Sequence, residues 1–219
     1  MASRKDDILL IGLGRFGRAL ALTMTELGHD VLAIDASAKA CQAMSGDLAH
    51  VVQADATDPE ALRQVGADQF RSAVVAIGND IQASIMTTYA LVDLGIPRIW
   101  AKAITAPHGA ILQRVGAHRV VFPERDMGVR VAHTMLGRTI DYVELDDEFV
   151  LIETTVPKQL AGKLIGEAQV RSRWEVSILC VKRPGGKFTY ATQDTVLNLG
   201  DLVVVFGQKR KAEAFADLD

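Results

Sequence analysis

Short continuous apolar runs alternate with stretches of helical periodicity over the first half of the chain. Ile8-Leu9-Leu10-Ile11 is such a run, and it breaks at Gly12 into a helical pattern over residues 15–27. Gly28 stops that helix, and Val31-Leu32-Ala33-Ile34 gives a second strand closed by the acid Asp35. Val51-Val52 leads to Asp55, after which Asp58-Pro59 reads as an N-cap and first helical residue ahead of Ala61, Leu62 and Val65. Strands over 73–77, 99–102 and 119–122 then alternate with helices over 81–94 and 107–115. Six strands alternating with helices predict an α/β fold with a Rossmann-like, doubly wound parallel sheet. Strands that are apolar throughout suit a sheet covered by helices on both faces.

One more helix follows from Glu124 to about residue 137, with Met127, Val131 and Met135 on one stripe. Beyond it the character changes. Residues 143–145, 150–156, 176–182 and 202–206 are strand-like, and Pro184-Gly185-Gly186 is a turn between two of them. With a short helix at 163–170 and a terminal helix from Gln208, residues 138–219 predict a small α+β C-terminal domain after a nucleotide-binding domain at 1–137.

Composition narrows the function classes. The 219 residues are 49% hydrophobic and 23% charged, the ordinary balance of a globular chain. A net charge of −3 lacks the basic excess that phosphate backbones demand, so no nucleic-acid partner is expected. No apolar stretch approaches the roughly 20 residues of a membrane span, and Met1–Asp7 has no apolar core for a signal peptide; a cytoplasmic protein is expected. Cys41 and Cys180 stand far apart without a CxxC pattern and read as buried free thiols. The five histidines show no metal-ligand spacing, and no GxSxG or HExxH motif marks a catalytic centre.

The chemistry concentrates at Gly12-Leu13-Gly14-Arg15-Phe16-Gly17, a GxGxxG turn between strand and helix. Its first glycine makes the turn, its second admits phosphates to the backbone, and its third lets helix pack on strand. Asp35, at the end of the second strand, is placed to take two ribose hydroxyls. Arg15 is a guanidinium inside the turn, either a phosphate contact or a plain surface cation. Asp55 and Gly78-Asn79 close the next strands at the edge where ligands bind, although Asp55 equally suits a loop cap for Thr57. Glu124, in the first turn of its helix, suits the helix dipole.

Asp55-Ala56-Thr57, Ala76-Ile77-Gly78-Asn79-Asp80-Ile81-Gln82-Ala83-Ser84, Ile99-Trp100-Ala101-Lys102 and Phe122-Pro123-Glu124-Arg125-Asp126-Met127-Gly128 join the glycine turn in a pattern that resembles the RCK family, regulators of potassium conductance. The likeness is to the cytoplasmic ring subunits of Ktr/Trk-type potassium transporters. Leu160–Ile165 and Leu199–Gly207 are similar to that family's C-terminal domain. The resemblance implies a non-enzymatic homodimer joined by the helix after Pro123-Glu124. Such dimers assemble as an octameric ring on the inner face of the membrane under an integral potassium-translocating partner. It implies ATP or ADP, or NAD(H), at Gly12, Gly14, Arg15, Phe16, Gly17, Asp35, Asp55, Ala56, Thr57, Ile77, Gly78, Asn79, Lys102 and Glu124, with Mg, Ca or Na at Glu124. It further implies a cyclic di-AMP site around Leu164, Ile165, Val170, Arg171 and Ile178. Two other readings share the fingerprint. An NAD-dependent oxidoreductase needs catalytic residues, and a Rossmann-core transcriptional regulator needs a DNA-reading helix-turn-helix.

Overall fold

The computed structural model describes residues 7–135 and 137–219 and divides the chain into two compact units, one ending at Glu124 and one comprising Arg125–Asp219. In the first, strands β1 (Ile8–Ile11), β2 (Val31–Asp35), β3 (His50–Gln53), β4 (Ser72–Val75), β5 (Arg98–Lys102) and β6 (Arg119–Val121) form one sheet in the order β3-β2-β1-β4-β5-β6. Every pairing in it is parallel. That order changes direction at β1 and β4, the two strands whose carboxyl ends open a crevice.

The apolar runs have their physical reason in two cores. Leu9 and Ile11 of β1, Ala73 and Val75 of β4 and Ile99 and Ala101 of β5 point to one face. Leu10, Ala33 and Val74 point to the other, with Cys41 and Met44 of the covering layer. Alternate residues of each strand are therefore buried on opposite sides, so the strands carry no polar face.

Helices α1 (Arg15–Glu26), α2 (Ala38–Met44), α3 (Pro59–Gln64), α4 (Ile81–Asp93) and α5 (Ala106–Val115) connect the strands. Four of them begin on side-chain caps. Ser37 accepts from the Ala40 amide, Asp58 from Glu60, Asp80 from Ala83 and Thr105 from His108. Helix α2 has no counterpart in the periodicity reading, because only Cys41 and Met44 of its seven residues are buried.

Helix α6 (Pro123–Met135) carries the chain into the second unit. Its predicted stripe is exposed in the single chain, with Met127 at 54%, Val131 at 45% and Met135 at 78%. The second unit is an antiparallel sheet of β7 (Thr139–Glu144), β8 (Phe149–Thr155), β9 (Val176–Lys182), β10 (Phe188–Tyr190) and β11 (Leu202–Gln208) in the order β10-β9-β11-β8-β7. One face is apolar, and Val150, Ile152, Val203 and Val205 pack there with Ala212 and Phe215 of helix α9 (Lys209–Ala216). Strand β8 accordingly alternates buried and half-buried along its whole length.

The helix expected over 163–170 is two short ones, α7 (Ile165–Ala168) and α8 (Val170–Trp174). Gln169 between them sits at φ +50°, in left-handed conformation, and breaks the helical hydrogen bonding. Cys41 is buried as expected. Cys180 on β9 is only half-buried.

Candidate nucleotide-binding site

A cavity of about 680 Å³ opens at the carboxyl ends of β1, β2, β4 and β5. Thirteen of the fourteen residues named for the nucleotide line it: Gly12, Gly14, Arg15, Phe16, Asp35, Asp55, Ala56, Thr57, Ile77, Gly78, Asn79, Lys102 and Glu124. Gly17, the fourteenth, serves packing. A Cβ there would stand 1.8 Å from the Gly12 carbonyl oxygen, so no side chain fits between helix and turn. Gly12 itself has φ +102°, and a Cβ on it would meet the Ala76 backbone at 3.0 Å.

The turn is held from both sides. Asp35 Oδ2 accepts from the Leu13 amide at 2.6 Å, and its Oδ1 accepts from the Ser37 amide at 2.8 Å. A carboxylate offers about four lone-pair sites, so each oxygen keeps one for a ligand hydroxyl. On the other side the Arg18 Nε donates to the Leu13 carbonyl at 2.7 Å. Gly14 is the N-cap of α1 with no side-chain cap bond, and open space lies where its Cβ would be. The first-turn amides of α1 have no side-chain cap, and Gly14, Arg15 and Phe16 line the cavity at the positive end of the helix dipole.

Asp55 takes the loop-cap arrangement. Its Oδ1 accepts from the Thr57 hydroxyl at 2.7 Å and from the Thr57 amide at 2.9 Å, and these bonds hold its carboxyl below the usual carboxylate range. It lines the cavity at the same time, and Oδ2 is left for a ligand. At the opposite end the Lys102 ammonium meets Glu124 Oε1 at 2.7 Å and lies 5.8 Å from the centre of the Phe16 ring. The Lys102 hydrogen bond lowers the Glu124 carboxyl from its ordinary value, with Lys102 and Arg15 charges acting in the same direction.

Arg18, Ser37, Asp80 and Ala83 also line the cavity and were not among the residues expected from the sequence. Arg18 lay one residue past the glycine turn, and the missed signal was a second cation within one helical turn of Gly14. Glu124 offers one carboxylate, already joined to an ammonium. Among the described residues no group of three His, Cys, Asp or Glu could hold a metal ion.

The residues expected around cyclic di-AMP lie in the second unit but split in character. Val170 is a core residue, 3% exposed, and Ile165 and Ile178 pack against the same core. Leu164 is half-buried and bridges to Val196. Arg171 is exposed and donates from Nε to the Ser177 hydroxyl at 3.1 Å.

Comparison with known proteins fixes the lineage. The TrkA-N domain matches residues 8–123 and the TrkA-C domain matches residues 149–218. The chain belongs to the TrkA-N/TrkA-C family. It is 34% identical over 213 residues to the Ktr system potassium uptake protein A of Bacillus subtilis, covering 97% of this chain and 96% of that one. It is 34% identical over 204 residues to protein C of the same system, with 93% and 92% covered. Among solved structures, the GsuK RCK domain superposes with a TM-score of 0.69 at 22% identity, over 98% of this chain and 47% of the other. The GsuK channel bound to NAD gives 0.69 at 23% identity, over 96% and 39%. The chain spans less than half the length of those two GsuK chains, and the likeness is one of fold. Among the described residues no helix is long and apolar enough to cross a membrane.

Proposed function

We propose that this chain is the regulatory subunit of a Ktr-type potassium uptake system, binding ATP or ADP, or alternatively NAD(H), at the Gly12–Gly17 turn. Binding gates a separate integral membrane subunit that translocates potassium. The chain works as a homodimer joined through α6 and assembled into an octameric ring, peripheral on the inner face of the membrane. What supports this most is the convergence of the glycine turn, Asp35 and the β4–β5 strand ends on one cavity, in a chain 34% identical to Ktr proteins over nearly its whole length.

The residues present suit an adenine nucleotide. Asp35 takes the ribose hydroxyls, the first-turn amides of α1 take phosphoryl oxygens, and Arg15 adds a charge-assisted fork at the exposed edge. The ligand is an effector here, so its binding energy is available to shift an equilibrium between forms of the ring. The competing oxidoreductase reading needs a group that positions a hydride acceptor. The 95 residues after Glu124 instead form a small sheet with its own filled core.

The test is titration of purified protein with ATP, ADP, NADH and NADPH, with mass and turnover followed in parallel. Binding of ATP and ADP with a change in assembly and no turnover is expected. Binding of NAD(H) with hydride transfer to any acceptor would replace the regulator by the oxidoreductase.

A further inference from the structure

Arg18 is a cation of which the glycine turn uses only a part. Its Nε donates to the Leu13 carbonyl at 2.7 Å, and that bond fixes one edge of the guanidinium. A guanidinium carries five N–H donors. Among the described residues no acid pairs with Arg18 and no acceptor meets either of its Nη groups, although the residue is half-buried and lines the cavity. A partly desolvated guanidinium with both amino groups open is a fork ready for an anion.

The position of Asp35 decides which anion. Its Oδ2 accepts from the amide of Leu13, the same residue whose carbonyl Arg18 holds, so carboxylate and guanidinium grip the two ends of one residue. A ribose held by Asp35 therefore stands beside Arg18. The cavity-lining residues that follow Asp35 in the chain, Ala36, Ser37 and Ala40, are small and leave room there. A carboxylate at this strand end repels a phosphate on the ribose and by itself selects a plain ribose. Here a tethered guanidinium acts on the same place with the opposite sign.

We propose that Arg18 offsets Asp35 and makes the ribose end of the cavity tolerant of a 2′-phosphate, so that the site admits 2′-phosphorylated adenine nucleotides, NADPH among them, beside those with a free ribose. This rests on the nucleotide reading of the cavity and adds a ligand class to it. Asp35 keeps the 3′-hydroxyl, while the two Nη groups of Arg18 take oxygens of the 2′-phosphate. Arg15, exposed at the edge of the turn, is left for the 5′-phosphate chain.

Displacement of a bound fluorescent ATP analogue tests it with two ligand pairs, NADH against NADPH and 5′-AMP against adenosine 2′,5′-bisphosphate, on the unaltered chain and on Arg18→Met. In the unaltered chain each 2′-phosphorylated ligand competes within about tenfold of its plain partner. In Arg18→Met both fall by about tenfold or more relative to those partners, since the charged fork is gone and the Asp35 carboxylate remains. The ratio within a pair is the readout: a turn loosened by loss of the Leu13 bond weakens both members alike and leaves their ratio where it was. A preference for the plain ligands beyond about tenfold in the unaltered chain overturns the proposal, and so does a ratio that moves by less than about threefold in Arg18→Met. Thermal melts check that the variant folds, and Arg18→Gln replaces it if it does not. If the analogue binds and the ratios fail, the tolerance for a 2′-phosphate falls alone; if the unaltered chain does not bind the analogue, the nucleotide reading falls and the tolerance with it.

Discussion

Asp35→Ala separates what the carboxylate does for the turn from what it does for a ligand. The substitution removes two hydrogen bonds from backbone amides, Leu13 at 2.6 Å and Ser37 at 2.8 Å. Ser37 is exposed and water replaces its partner, but Leu13 is 1% exposed and its amide is left unmatched. An unmatched buried donor costs about 1–3 kcal/mol. At roughly 2–4 °C per kcal/mol for a chain of this size, the melting temperature falls by about 2–12 °C. Affinity is therefore measured well below the new transition, by calorimetry with ATP and with 2′-deoxy-ATP. A hydrogen bond from the ribose to a charged acceptor is worth about 1.5–3 kcal/mol, a preference of about 10- to 150-fold for ATP over its deoxy form. In Asp35→Ala that preference shrinks to within about threefold, while both ligands bind more weakly than to the unaltered chain. An unchanged ratio between the two nucleotides refutes the ribose assignment, even if the variant is less stable.

Arg15→Ala should cost about ten- to a hundredfold in ATP affinity and less in ADP affinity, since a terminal phosphate is the group a guanidinium at the edge of the turn reaches; equal losses make it a general phosphate contact. In the second unit, Arg130 donates to both oxygens of Asp141 and holds that carboxyl below its ordinary value. A depressed folded value stabilises above the unfolded one and is lost as pH falls through the folded one, so the melting-temperature gap between the unaltered chain and Asp141→Asn should be full at pH 7. It should shrink progressively as pH falls below about 4, and a gap as large at pH 2.5 as at pH 7 excludes the ion pair as its source. Met127→Asp combined with Val131→Asp leaves the single chain folded, because neither side chain is buried, and lowers the mass seen by light scattering if α6 joins two copies. Unchanged mass moves the dimer contact elsewhere. Arg171→Ala should weaken any binding of cyclic di-AMP while ATP binding stays intact; calorimetry without heat over several temperatures removes that ligand.

The elements that could be read directly are those in which burial and sequence coincide. β1, β2 and β4 are continuous apolar runs because both of their faces are covered, and the GxGxxG turn is legible because each glycine has a separate steric reason. Strand β10 was not legible. Phe188, Thr189 and Tyr190 are all exposed on an edge, so no alternation marks them. The break at Gln169 was hidden because asparagine and glycine signal left-handed backbone, and glutamine does not. The compact units part inside α6, between Glu124 and Arg125, while the hydrophobic pattern changes only where that helix ends. At the site, residue types at strand ends pointed to the cavity wall. Which of them bond to one another did not follow from spacing. Lys102 and Glu124 are 22 positions apart, and only the parallel pairing of β5 with β6 brings the end of one strand beside the helix that follows the other.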